Sequence, residues 1–152
     1  MRVMRDTNVV ISIALFASPG MDAVKAALER DRVVLCDFVV DELREVFARK
    51  FPGRIDDLEC FLAGLRFDRA DTVWSLPGLP DVRDGADIPV LASAVSSGVD
   101  ILLTGDKDLT TLDLVRPRIL TPSEYAGLVR HAGQASSGRP HSRSRSAGPF
   151  GG

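Results

Sequence analysis

Histidine and cysteine are scarce in this sequence, and what is missing limits its chemistry. The 152 residues contain two of each. His131 and His141 both fall late in the chain, so the body has no histidine to act as a base or to join a ligand cluster. Cys36 and Cys60 sit in neither a CxxC nor a CxxH spacing, which argues against a zinc site or a dithiol redox motif. They are expected instead to be buried thiols in a reducing compartment. No apolar run is long enough to span a membrane. The N-terminus lacks the basic-then-apolar form of a leader because Asp6 and Asn8 interrupt it. The expectation is a cytoplasmic protein. With 45% apolar and 26% charged residues the composition is that of a globular domain, and the length suits one domain that needs no cross-links.

Charge is unevenly distributed. From Ala132 onward there are three arginines, Arg139, Arg143 and Arg145, and no acid, so the net −2 of the chain becomes −5 when they are set aside. Residues 1–131 are expected to form the domain. Residues 132–152, rich in Ser, Arg, Gly and Pro, are expected to be a disordered tail. Such a composition fits a basic RNA- or partner-binding tail and a dispensable extension alike. An acidic body is a poor generic binder of nucleic acid. Any action on RNA would therefore need metal ions and a local basic patch.

Within the body, strands and helices alternate. Residues 2–6 read as a first strand, and the Arg32–Cys36 run, RVVLC, as an apolar one. Met21 to Arg30 has a helical stripe of Met21, Val24, Ala27 and Leu28. Val39 to Lys50 has another through Val39, Leu43, Val46 and Phe47. Ile55 to Leu65 repeats the pattern with Leu58, Phe61, Leu62 and Leu65. Residues 72–76 are ambiguous, and 76–85 read as a loop. Asp87 to Ser97 is helical, ended by Gly98. Asp100 to Thr104 is a buried strand, a short helix follows Asp106, and Arg118 to Leu120 is a last strand. Thr121-Pro122-Ser123-Glu124 is a capping box that opens a helix to Arg130. Strands separated by helices predict an α/β fold with a mostly parallel central sheet flanked by helices. Sites in such sheets lie beyond the carboxyl ends of the strands.

That rule draws attention to four acids. Asp6 ends the first strand and is followed by Thr7 and Asn8, which could orient it; an N-cap would explain it equally well. Glu42 falls on the apolar stripe of its helix, three residues after Val39 and four before Val46, where an unpartnered carboxylate is costly unless it reaches solvent. Asp87 opens the inward face of IPVLASAV, where an N-cap followed by Pro89 is the ordinary explanation, and Asp81 and Asp84 are looser alternatives. Asp106 follows ILLT through Gly105, with Asp108 as a further candidate ligand, and a solvated turn acid is its plain alternative. Taken together, four carboxylates with no competing thiol or imidazole cluster favour Mg²⁺ or Mn²⁺ over zinc. A water on such a metal can attack a phosphodiester. Arg49, seven residues after Glu42, is a candidate phosphate contact or a solvated helix end.

At these residues the sequence resembles PIN-domain proteins, in particular the VapC-like toxin components of type II toxin–antitoxin modules. The likeness rests on Asp6-Thr7-Asn8-Val9, on Val40-Asp41-Glu42-Leu43-Arg44-Glu45-Val46, on Asp87 with Leu91-Ala92, and on the run from Gly98 to Leu109 containing Thr104-Gly105-Asp106-Lys107-Asp108. It extends over nearly the whole body. The family implies a Rossmann-like three-layer fold and a Mg²⁺- or Mn²⁺-dependent endoribonuclease. By matching positions, Asp6, Glu42, Asp87 and Asp106 would be its catalytic and metal-binding quartet, with Asn8 and Thr104 in support. It also implies an RNA substrate, a cognate antitoxin protein that blocks the site, and a homodimer. The sequence departs from the family at Arg5, where an apolar strand residue is usual, and at Pro89. In-line attack would leave the 3′ oxygen as the leaving group. The competing reading is a catalytically weak PIN-fold module that binds RNA or protein. A receiver-type phosphoryl acceptor is disfavoured because Asn8 stands where a second acid would be needed.

Overall fold

The computed structural model describes residues 1–15 and 19–131 of the chain; the tail expected over 132–152 lies outside them. The four-residue strand β1 (Arg2–Arg5) is the middle of the molecule. Val3 and Met4 are fully buried, one on each face, as a strand covered on both sides requires. β2 (Arg32–Cys36) lies parallel to it with Val3 opposite Val33, and β4 (Ile101–Leu103) lies on its other side with Val3 opposite Ile101. β5 (Arg118–Leu120) extends the sheet beyond β4. β3 (Phe67–Ala70) pairs with the outer side of β2, so the order is β3-β2-β1-β4-β5, all parallel.

The helical stripes read from the sequence are the buried faces of the helices. α2 (Pro19–Leu28) buries Val24, Ala27 and Leu28 with Met21 half-buried, and α4 (Ile55–Gly64) buries Leu58 and Leu62 with Phe61 and the following Leu65 half-buried. Cys36 is buried on β2 as expected, whereas Cys60 lies off the apolar stripe of α4 and is exposed. α3 (Asp37–Lys50) buries Val39, Leu43 and Phe47, with Val46 half-buried at the margin. α5 (Ile88–Ser97) ends at Gly98, whose φ of 66° is left-handed and whose N–H closes onto the carbonyls of Ala94 and Val95. α6 (Lys107–Thr110) is a single turn after β4. The last helix, α7 (residues 122–131), opens on a reciprocal cap: Thr121 N–H donates to Glu124 Oε1 at 3.0 Å, and Glu124 N–H donates to Thr121 Oγ1 at 3.2 Å. Its Tyr125 is fully buried and donates its hydroxyl to the Ala27 carbonyl and to the Asp31 carboxylate, tying α7 to the end of α2. The result is the three-layer α/β arrangement expected.

Two elements were not foreseen. The first is α1 (Thr7–Leu15), TNVVISIAL, whose apolar and β-branched residues lack a polar face that would mark a helical period. The second is β3 (Phe67–Ala70), FDRA, an edge strand with two exposed central residues. It is held by backbone pairing to β2 and by ion pairs from Arg32 to Asp68 (3.4 Å) and Arg69 to Asp37 (2.7 Å), none of which an apolar pattern reveals. Residues 72–76 are irregular, pinned where Phe38 N–H donates to Thr72 Oγ1 at 2.7 Å and Val73 N–H to Ser93 Oγ at 2.8 Å.

Gly98 gives a direct check on this backbone. A Cβ there meets nothing within 4 Å among the described residues, so the cost of Gly98→Ala is that of the left-handed φ. Urea unfolding should show a loss of about 1 kcal/mol for Gly98→Ala. Gly53→Ala, equally unobstructed and without a positive φ, should cost clearly less.

Candidate metal centre

The strand order places a reversal at β1. The chain moves outward through β2 and β3, then returns to lay β4 on the other side of β1. The two loops leaving β1 and β4 therefore part in opposite directions and open a crevice at their carboxyl ends. Asp6 leaves β1 at that point, and Asp106 follows β4 by three residues.

One network fixes both. Asp6 Oδ1 accepts from Val9 N–H at 2.9 Å, capping α1, while Oδ2 accepts from the hydroxyl of Thr104. The same hydroxyl accepts from Asp106 N–H at 3.0 Å. Asp106 Oδ1 in turn caps α6 by accepting from Asp108 N–H at 2.9 Å. Thr104 is fully buried, so this junction is part of the core. Each aspartate thus fills its ordinary capping role with one oxygen. Thr7, nearly buried at the start of α1, donates its hydroxyl to Glu42 Oε1 and brings α3 to the same place. The sequence names Thr7 only as a neighbour of Asp6; its bond to Glu42, 35 residues away, has no local signature.

Asp87 behaves differently from its expected cap. It stands at the N-cap of α5, yet its side chain makes no capping bond. Pro89 removes the N–H that a cap would reach two residues on. The preceding turn is capped by Asp84, whose Oδ1 accepts from Ala86 N–H at 3.0 Å. As a carboxylate, Asp87 has its Oδ2 buried with no hydrogen-bond donor among the described residues. An unpaired buried carboxylate oxygen is costly.

The acids feel one another. Burial pushes the Asp6 carboxyl up, the bonds from Thr104 and Val9 hold it down, and the charges of Asp106 and Glu42 push it up again. Asp87 is pushed up to about 7, first by burial, then by a hydrogen bond that its proton makes to Asp106, then by the charges of Asp106, Asp84 and Asp6. When Asp87 and Asp106 are both ionised they have only acceptors to offer each other, and a proton or a cation must stand between them.

The side chains of the remaining candidates make no hydrogen bond or ion pair with the four acids among the described residues. Asn8 is exposed and makes no side-chain hydrogen bond among the described residues. Asp108 is half-buried and enters the site through its backbone N–H. Arg49 is exposed, with its guanidinium 3.8 Å from Glu45 on the outer face of α3. Among the described residues, no three acidic, histidine or cysteine side chains already enclose a single point. Ligation of one ion would need side-chain rotation. The donor set nevertheless fits a hard divalent cation: every available group is a carboxylate oxygen, and one of them is buried without a partner.

The profile of the PIN domain matches residues 2–108, the stretch that spans β1 to α6 and all four acids. This chain belongs to the PIN-domain family. No curated protein sequence matches the PIN domain described here. Its fold is similar to a chain in the crystal structure of VapBC2 from Rickettsia felis bound to a DNA fragment from their promoter. The TM-score is 0.56 at 16% identity, over 80% of this chain and 97% of that one. At that identity the likeness is one of fold.

The sign of the Asp87 shift sets a pH dependence. A carboxyl raised in the folded state stabilises the fold below its unfolded value of 3.8, and that contribution disappears as pH rises through about 7. In EDTA, Asp87→Asn should match the parent in urea unfolding at pH about 4 and exceed it at pH about 8. Equal stability at both pH values would show that Asp87 carries no such strain.

Proposed function

We propose that this PIN domain is a metal-dependent endoribonuclease that hydrolyses RNA phosphodiesters with Mg²⁺ or Mn²⁺ at Asp6, Glu42, Asp87 and Asp106. The observation that carries this reading is the buried, unpartnered Oδ2 of Asp87 beside Asp106 at the switch point of the sheet. PIN domains are generally nucleases, and the matched stretch contains all four acids. The finer reading, the toxin of a toxin–antitoxin module, rests on the sequence resemblance. It brings a cognate antitoxin that covers the site and a homodimer with it.

The roles of the chain's own groups follow from their contacts. Thr104 holds Asp6 and Asp106 in register with one hydroxyl, and Thr7 holds Glu42. Asp87 supplies the proton-labile position: its carboxyl, raised to about 7, directs its proton to Asp106, and a cation held by the four acids would displace that proton. A bound divalent cation would neutralise charge on the phosphodiester and lower the pKa of an attacking water. The described part of the chain offers no imidazole near the crevice, since His131 sits exposed at the end of α7.

A second reading, a catalytically weak PIN-fold module that binds RNA or protein, draws support from the absence of a preformed three-ligand cluster among the described residues. The two differ in a simple assay. RNA cleavage with Mg²⁺ or Mn²⁺ should be abolished by EDTA and reduced by about 100-fold or more in Asp6→Asn and Asp106→Asn. Thr104→Val, which keeps every carboxylate, should lose about tenfold. Cleavage that survives both EDTA and Asp6→Asn would place the activity elsewhere.

A further inference from the structure

Arg5 is the last residue of β1 and should be the most expensive side chain in the sheet. It is 2% exposed, and its Nε and Nη1 are buried without an acceptor among the described residues. Alternation along β1 turns it away from Met4 and onto the face of Val3. The register carries that face to Val33 on β2 and Phe67 on β3. A cleft of about 980 Å³ opens there, lined by Arg5, Lys25, Leu28, Phe61, Arg66 and Phe67 among others. It runs along the starts of β2 and β3, whereas the carboxylate quartet gathers beyond the carboxyl ends of β1 and β4.

The charges around the cleft are unbalanced in a specific way. Its aspartates are already engaged: Asp31 takes the N-terminal ammonium at 2.9 Å and the Tyr125 hydroxyl, and Asp68 pairs with Arg32 at 3.4 Å. Glu29 is exposed at the rim. Arg5, Lys25, Arg30 and Arg66 have no ion pair among the described residues. A buried guanidinium needs acceptors, and two oxygens of a carboxylate or a phosphate can meet its fork with two parallel bonds.

We infer that this cleft binds a small organic anion, whose phosphate or carboxylate group is received by the buried Arg5 guanidinium. The near-complete burial of Arg5 and the cleft's size favour a small molecule over a macromolecular surface. The half-buried rings of Phe61 and Phe67 give the ligand an apolar wall. The cations at the rim draw the anion in.

The test is calorimetric titration of the full chain in EDTA, with inorganic phosphate, acetate and adenosine 5′-monophosphate as separate probes. At least one probe is expected to saturate, and comparing phosphate with acetate identifies the oxyanion. Arg5→Met should weaken that binding by about tenfold or more. Arg5→Lys, which keeps the charge and removes the fork, should also weaken it and remains informative where Arg5→Met does not fold. Asp87→Asn should bind as the parent does, which separates this cleft from the carboxylate site. The inference is overturned where no probe saturates, or where a folded Arg5 variant binds as tightly as the parent.

Discussion

Like charges brought together at the reversal of strand order govern much of what this protein can be. Asp6 and Asp106 leave adjacent parallel strands, and Glu42 and Asp87 arrive on helices that pack beside them. Four carboxylates in one crevice repel, and the fold holds them there through buried hydroxyls. Thr104 is fully buried and joins Asp6 to Asp106, and Thr7 joins α1 to Glu42 on α3. The raised carboxyls of Asp6 and Asp87 are the cost of that arrangement. A fold that retained such a site for stability alone would be better served by removing the charge. A cation between the acids would turn the same repulsion into attraction.

Much of the fold was legible in the amino-acid sequence because its core elements carry strong periods. RVVLC and ILL are continuous apolar runs, as strands buried on both faces must be, and the stripes of α3 and α4 repeat every three or four residues. Thr121 to Glu124 is a capping box in sequence and in structure. What escaped has physical reasons. β3 is an edge strand of mixed polarity that exists through pairing with β2, and α1 is apolar on nearly every side. Neither property leaves a local period.

The candidate site was legible by a different route. Asp6 and Asp106 could be placed because strand ends can be read and the switch-point rule then applies. Their neighbours sharpen the picture. Pro89 in the first turn of α5 is one reason Asp87 does not cap its helix, since it removes one of the N–H groups a cap would reach. Thr7 and Thr104 are tied to acids 35 and 98 residues away, which spacing along the chain cannot reveal. Arg5 interrupts an apolar strand, and only the structure shows that its Nε and Nη1 are buried at a cleft without an acceptor among the described residues.

The central claim is that the four carboxylates form one cation site. It is tested most directly by calorimetric titration of Mn²⁺ into the full chain at pH about 6.5, repeated in buffers of different ionisation enthalpy. The account predicts saturable binding whose heat varies with the buffer, because Asp87, with its carboxyl at about 7, must give up its proton as the ion enters. That proton release should fade at higher pH. Absence of Mn²⁺ binding, or binding unchanged in a protein with both Asp6 and Asp106 replaced by asparagine, would contradict it.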